Sequence, residues 1–542
     1  MATRLVLVEL LCPNRRWLMA WLLMVVCGTL YITNQLASQY QVLEHKRWQL
    51  AQMQPRVIIE RKIKHCDPPC TNIIEQIPPE DVEKITDIHQ EGDPNVKIAQ
   101  IDANDEYNDS HHDIVDTNYG RIVNIKTDGR INITKGIPSR TKKPETSDEV
   151  HIPSIRTIGA NCSAVFQGDN DELQKAENYM KSNPKIPIPD KAYVTLASDC
   201  DRFRKSRSYI LSALTKEEEE FPIAFSILMF KDIEQTERLL RAIYRPQNYY
   251  CIHMDVKSNP DVKKGITAIA QCFDNVIIAS ELIDVQWGAF TVLEPELRCM
   301  KDLWAYKKWK YFINLTGQEF PLRTNWELVK ILKAYNGANN LEGTVKRRNM
   351  ERFTYVHNPG RTDEKKEPPP HGIVPVKGSV HVTASRDFVD YLLHNKTALE
   401  FLEWAKTAGI PDESFFSSLN HNPHLGVPGS YAGEPETDPQ KYPFITRFKN
   451  WGNYPFNYPC KGGNRVRMIC ILSLGDLPYL KTRPELFMNK FYIDYSYLGY
   501  DCLEEWYFER TRNEYLGKQS FDVGFYENLS FVKNQVKAWY QN

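Results

Sequence analysis

The chain has 542 residues, with 68 Lys and Arg against 69 Asp and Glu, and 42% of its residues are hydrophobic. That balance excludes wholesale disorder and collagen-like or coiled-coil architecture. A net charge of −1 gives no global attraction for nucleic acid or an anionic membrane surface, and the length allows about two to four domains, or one large α/β domain with appendages.

The first forty residues set the compartment. Residues 17–32 form a run of sixteen without a charge, preceded by Arg4, Arg15 and Arg16. As a helix this run rises about 24 Å, somewhat less than the ~30 Å hydrocarbon core of a bilayer. Trp17, Trp21 and Tyr31 sit at its edges as interface anchors do, which favours a retained signal anchor. A cleaved signal peptide is the alternative, with a small-residue exit at Leu36-Ala37-Ser38. Because the basic residues come first, residues 1–16 are expected in the cytosol, 17–35 across the membrane and the rest in the lumen, as a single-pass type II protein. A span this short suits the thin membranes of the early secretory pathway.

A lumenal chain meets oxidising chemistry and glycosylation. Six Asn-x-Ser/Thr sequons follow the anchor, at Asn108, Asn132, Asn161, Asn314, Asn395 and Asn528, and each is a candidate glycan site. Beyond Cys12 and Cys27 there are ten cysteines, Cys66, Cys70, Cys162, Cys200, Cys251, Cys272, Cys299, Cys460, Cys470 and Cys502. An even number in such a compartment points to disulfides. No CxxC occurs, and Cys66-x3-Cys70 has no second pair nearby, so zinc is disfavoured.

Residues 36–158 are rich in Gln, Asp, Asn, Lys and Pro, with isolated apolar residues, and are expected to form a flexible lumenal stem. His111, His112 and Asp113 within it are taken as a solvated polar stretch rather than a metal site. From Phe221 the texture changes. FPIAFSILMF (221–230) is a continuous apolar run, the pattern of a strand buried on both faces. A helix is predicted over 232–244, a strand over 249–256, a helix over 260–272 and a strand over 275–280. A further helix follows over 293–309 and a strand over 310–315. This alternation argues for an α/β domain with a mostly parallel sheet. In such sheets ligands bind beyond the carboxyl ends of the strands, which points to His253-Met254-Asp255, Ala279-Ser280 and Thr316-Gly317-Gln318-Glu319.

Six collinear segments then carry a resemblance. FPIAFSILMFKDIEQTERLLRAIYRPQNYYCIHMD, YFINLTGQEFPLRTN, SRDFVDYLL, PDESFFSSL, RVRMICILSLGDL and ELFMNKF together resemble the core-2/I-branching β-1,6-N-acetylglucosaminyltransferases, over about residues 160 to 510. The resemblance implies a glycosyltransferase A-type (Rossmann-like) catalytic domain over 159–542, in a Golgi-resident, metal-independent, inverting enzyme. Its base would be Glu413 of Pro411-Asp412-Glu413, a position that on composition alone would read as a favourable helix N-terminus. Arg467 and Lys490 would hold the departing diphosphate in place of a metal ion. Asp255 and Trp287 would serve the donor, Trp287 by stacking on uracil. Glu342, Arg352, Arg348, Trp451 and Glu319 would serve the acceptor. In the Trp-x-Tyr platform of the family, Asn453 replaces the Tyr. Arg348 stands in for a Lys in a loop one residue shorter, and Glu319 stands where the family has Asp.

Two Asp-x-Asp triplets, Asp169-Asn170-Asp171 and Asp199-Cys200-Asp201, precede the first buried strand instead of ending one, so neither is taken as a metal site. The resemblance also implies the pairs Cys162–Cys502, Cys200–Cys272, Cys251–Cys299 and Cys460–Cys470, leaving Cys66 and Cys70 to pair locally or to link two stems as a dimer. No cofactor is expected. The co-substrates would be a UDP-sugar, UDP-GlcNAc foremost and UDP-glucose next, and a core-1 O-glycan (Galβ1-3GalNAc) of a glycoprotein. Two rivals share the fold: a peptide O-xylosyltransferase, disfavoured because those enzymes usually carry an extra C-terminal domain, and a catalytically silent lumenal lectin.

Overall fold

The computed structural model describes residues 150–537, apart from 347–348, 359, 439–441 and 453–457, together with three short strands near the N-terminal side. The anchor run, Cys66, Cys70, Asn108, Arg348, Asn453 and the His111-His112-Asp113 stretch lie outside the described residues, as does the side chain of Asn132. Among the described residues no helix is long and apolar enough to cross a membrane.

The chain divides into two units, 1–141 and 142–542. In the first, Val115–Asp116, Arg121–Ile125 and Ile131–Thr134 form an antiparallel three-stranded sheet. These strands fall within the stretch read as a stem. Ile122, Ile131 and Ile133 are apolar residues in β-branched company, and such residues favour strands even in a polar stretch.

The second unit is built on a six-stranded sheet. Its first strands are β1 (Ile223–Met229), β2 (Tyr249–Met254), β3 (Val276–Ile278) and β4 (Tyr311–Thr316), all mutually parallel in the order β3-β2-β1-β4. Helices α1 (Ile233–Ile243), α2 (Pro260–Gln271) and α3 (Glu294–Trp304) make the crossovers. β5 (Glu319–Pro321) and β6 (Asn340–Leu341) follow, and β7 (Val382–Ser385) runs antiparallel between β4 and β6 to complete the sheet. A smaller sheet joins β8 (Arg447–Phe448), β9 (Phe487–Asn489) and β5 in the order β8-β9-β5.

The apolar runs behave as their composition dictates. Ile223, Phe225, Ile227, Tyr250 and Ile252 are fully buried, because helices cover both faces of a parallel sheet. The predicted helix over 293–309 stops at Trp304. The chain then turns to bury Trp309, whose indole N–H donates to the Leu303 carbonyl at 2.8 Å. Helix α1 is buried on its polar side too, against α4 (Tyr497–Tyr515). Arg238 bonds Asp501 and Glu504 at 2.6 Å, and Arg241 bonds Glu504 at 2.6 Å.

All four inferred cysteine pairs are present: Cys162–Cys502, Cys200–Cys272, Cys251–Cys299 and Cys460–Cys470. Of the sequon residues described, Asn161, Asn395 and Asn528 are exposed. Asn314 is a correction. It lies within β4, 3% exposed, donating to the Val380 carbonyl and accepting from the Val382 amide at 2.8 Å each, so the fold has no room for a glycan there. Asp169 and Asp199 accept from backbone amides at helix N-termini, which is the work of N-cap residues.

Candidate active site

A cleft of about 1120 Å³ opens where the carboxyl ends of the central parallel strands meet the loops after them. Met229 ends β1, Asp255 follows β2 and Thr316-Gly317 ends β4, and all line it. Gly317 sits so close to Thr236 that a Cβ there would meet its Oγ1 at 2.7 Å, so the helix after β1 packs directly on this rim.

Trp287 projects into the cleft from the loop after β3, 68% exposed. The guanidinium of Arg467 lies 5.6 Å over its ring, within cation–π range. Arg467 itself holds φ at 51° and Met468 at 69°, a turn that throws the side chain towards the cleft. Lys490 emerges from the end of β9 into the same space. Its burial, with Arg467 and Lys449 beside it, lowers its pKa to about 8. Lys449, just past β8, is more deeply enclosed. Its Nζ lies 3.4 Å from Ser379 Oγ, and burial lowers its pKa while Glu342 opposes the shift. Three cations thus share one wall of the cleft, which suits a dense anion such as a diphosphate.

Glu413 lines the same cleft, from the 3₁₀ turn Pro411–Glu413. Its Oε2 accepts from Arg352 Nη1 at 2.7 Å and faces Lys377 Nζ at 3.5 Å. Burial alone would raise its pKa, but Lys377, Arg352 and Lys449 together hold it below the usual carboxylate value. Its neighbour Asp412 behaves in the opposite sense. Burial and the charge of Glu413 push it up to about 7, and its Oδ1 has no partner. Adjacent carboxyls with divergent proton affinities mark a site arranged for acid–base work.

Residues 223–473 match the Core-2/I-Branching enzyme family. A human relative named beta-1,3-galactosyl-O-glycosyl-glycoprotein beta-1,6-N-acetylglucosaminyltransferase is 38% identical over 363 residues, covering 64% of this chain and 84% of the relative. A second human relative, with the same name followed by the number 3, is 36% identical over 66% of this chain and 84% of its own. One from Bovine herpesvirus 4 (strain LVR140) is 35% identical over the same shares. The chain belongs to the core-2/I-branching enzyme family.

As a glycosyltransferase of this family, the chain assembles most of its inferred site residues in one place. Asp255, Trp287, Glu342, Glu413, Trp451, Arg467 and Lys490 all line the cleft, and Arg352 reaches it through its bond to Glu413. Trp451 is 48% exposed beside Gly452, whose φ of 95° turns the chain sharply after it. Glu319 is a correction. It is fully buried, accepting from Arg447 Nε at 2.8 Å and Asn489 Nδ2 at 3.0 Å, so it braces β5, β8 and β9 and does not line the cleft. Two cations that line the cleft were missed in the sequence. Lys377 and Lys449 stand in Val376-Lys377-Gly378 and Phe448-Lys449-Asn450. Lys377 follows the apolar stretch Ile373-Val374-Pro375-Val376, the one signal it carried, whereas Lys449 lies among Thr446, Arg447 and Asn450 and carried none. Among the described residues no group of three or more His, Cys, Asp or Glu side chains is placed to hold a metal ion.

Proposed function

We propose that this enzyme is an inverting glycosyltransferase of the Golgi lumen, held there by its own N-terminal anchor. It transfers GlcNAc from UDP-GlcNAc in β-1,6 linkage to a core-1 O-glycan, Galβ1-3GalNAc on Ser or Thr of glycoproteins. The observation that carries this reading is the convergence on one cleft of an ionised carboxylate, Glu413, and the cations Arg467, Lys490 and Lys449. The names and coverage of the human relatives support the choice of linkage and acceptor.

The uracil stacks on Trp287, with Arg467 on the adjacent face, and the diphosphate meets Arg467 and Lys490. Glu413 takes the proton from the acceptor 6-hydroxyl as that oxygen attacks the sugar C1 from the side opposite the UDP. A single displacement of this kind inverts the anomeric carbon. The charge that builds on the leaving diphosphate is met by fixed cations in a partly dry site, where they count for more than in water. In this reading the lysines and Arg467 supply the charge, and the reaction needs no metal or cofactor. Trp451 offers a ring for a sugar face, with Glu342 and Arg352 beside it for acceptor hydroxyls.

The test is UDP release by the purified full-length chain with a core-1 acceptor, in EDTA, for wild type and Glu413→Gln. UDP-GlcNAc turnover that survives EDTA and falls by about 10²-fold or more in the variant supports the reading. Turnover with UDP-glucose alone keeps the chemistry and changes the donor. Dependence on Mn²⁺ overturns the metal-free mechanism, and glycan binding without UDP release favours a lectin.

A further inference from the structure

Lys377 was assigned no part in the site by its sequence, yet its surroundings fix it against Glu413. Its amide and carbonyl exchange hydrogen bonds with Thr344: the Thr344 amide donates to Lys377 O at 2.7 Å, and the Lys377 amide to Thr344 O at 3.3 Å. The next amide, of Gly378, donates to the Glu413 carbonyl at 2.6 Å. A Cβ at Gly378 would lie 1.8 Å from Ser417 Oγ and 2.2 Å from the Glu342 carbonyl. Only glycine lets this strand pass so near the turn of the base. The main chain is therefore pinned on both sides of Lys377, and the ammonium sits 3.5 Å from Glu413 Oε2 and 3.1 Å from the Gly378 carbonyl.

Resting on the reading of Glu413 as the base, we propose that Lys377 is a positioning residue that holds Oε2 together with Arg352, leaves Oε1 to the acceptor hydroxyl, and keeps the carboxylate ionised in mildly acidic medium. Both cations lie on the same carboxylate oxygen, so the base is oriented as well as charged. The charged and titratable groups around it are Arg352 from the short helix Glu351–Thr354, Lys377, Lys449 from just past β8, and Asp412 in its own turn. Lys377 and Arg352 both lower the proton affinity of Glu413 against the effect of its burial. This trades intrinsic basicity for occupancy of the ionised state, since a base that is already protonated accepts nothing.

The experiment is the pH profile of kcat/KM for the acceptor, with Lys377→Met, Lys377→Arg and Glu413→Gln measured in parallel on the full-length chain. Loss of a cation at this distance is expected to move the acidic limb upward by about one pH unit in Lys377→Met, while Lys377→Arg restores the wild-type limb. Glu413→Gln should have little activity at any pH. An unchanged limb in Lys377→Met, with Glu413→Gln inactive, overturns the role given to Lys377. Full activity of Glu413→Gln overturns the reading of the base itself.

Discussion

The carbonyl of Gly288 accepts the amide of Ile410 at 2.9 Å, joining the loop that carries Trp287 to the turn that carries Glu413. Both partners hold positive φ, 82° at Gly288 and 49° at Ile410. For Ile, a β-branched residue, this conformation is strained. The donor-side aromatic and the base are therefore held in register by one main-chain bond between two unusual backbone positions.

Gly288→Val puts a second β-branched residue at a positive φ and should cost about 1–2 kcal/mol. If the bond aligns the two halves of the site, kcat/KM for the donor falls about tenfold, as expected for a change of about 1.4 kcal/mol in transition-state stabilisation. Steady-state kinetics and a thermal melt on the same preparation separate the outcomes. A lowered melting temperature with unchanged kinetics would assign the bond to stability alone.

The sequence carried the parallel sheet well because period and apolarity are local signals. FPIAFSILMF and the helix after it occupy β1 and α1 as predicted. The buried polar face of α1 was not legible, because its partner Glu504 lies 263 residues beyond Arg241 and no local pattern anticipates that ion pair. The same holds for Glu319. Its place where the family has Asp suggested an acceptor contact, whereas its partners Arg447 and Asn489 come from strands 128 and 170 residues away. Lys377 faces Glu413 only because residue 378 lacks a side chain, and that fit is a property of three segments folded together.

Lys490 gives the alkaline side of the pH profile. Its burial, with Arg467 and Lys449 nearby, lowers its pKa to about 8, so the free enzyme loses this cation as the pH rises through that value. The charged form is the one that binds diphosphate. kcat/KM for the donor should therefore be full below about pH 7 and decline above about pH 8, falling tenfold per unit when this group alone limits. Lys490→Arg keeps its charge throughout this range, and should abolish the decline even where its geometry lowers the maximum. A decline that persists unchanged in that variant would assign it to another group.

Glu319 and Arg447 form an ion pair at 2.8 Å with both side chains fully buried. Removing one partner leaves an uncompensated charge, at a cost of about 3–5 kcal/mol. Arg447→Met should therefore lower stability strongly in a denaturant titration, and Glu319→Gln should do so less, because the amide still offers an oxygen to Arg447. KM for the acceptor should remain within about twofold of wild type in any Glu319→Gln protein that folds, a change of under about 0.5 kcal/mol. A large rise in KM without loss of stability would return Glu319 to the acceptor site.

Cys162 and Cys502 close a loop of 340 residues with their Cα atoms 5.2 Å apart. They tie the start of the catalytic unit to α4, within a core cluster of Val165, Phe166, Leu498 and Leu503. None of these residues lines the cleft. In the loop-entropy model a closure this long restricts the unfolded chain by about 6 kcal/mol. For a unit of this size that corresponds to a fall of about 7 °C in Tm. The double variant Cys162→Ala/Cys502→Ala avoids a free thiol and should melt lower by that amount, while kcat/KM at low temperature stays near wild type. A loss of activity in protein that is still folded would mean that this bond, far from the cleft, also sets the position of α4 and, through Arg238 and Arg241, of α1 beneath the donor site.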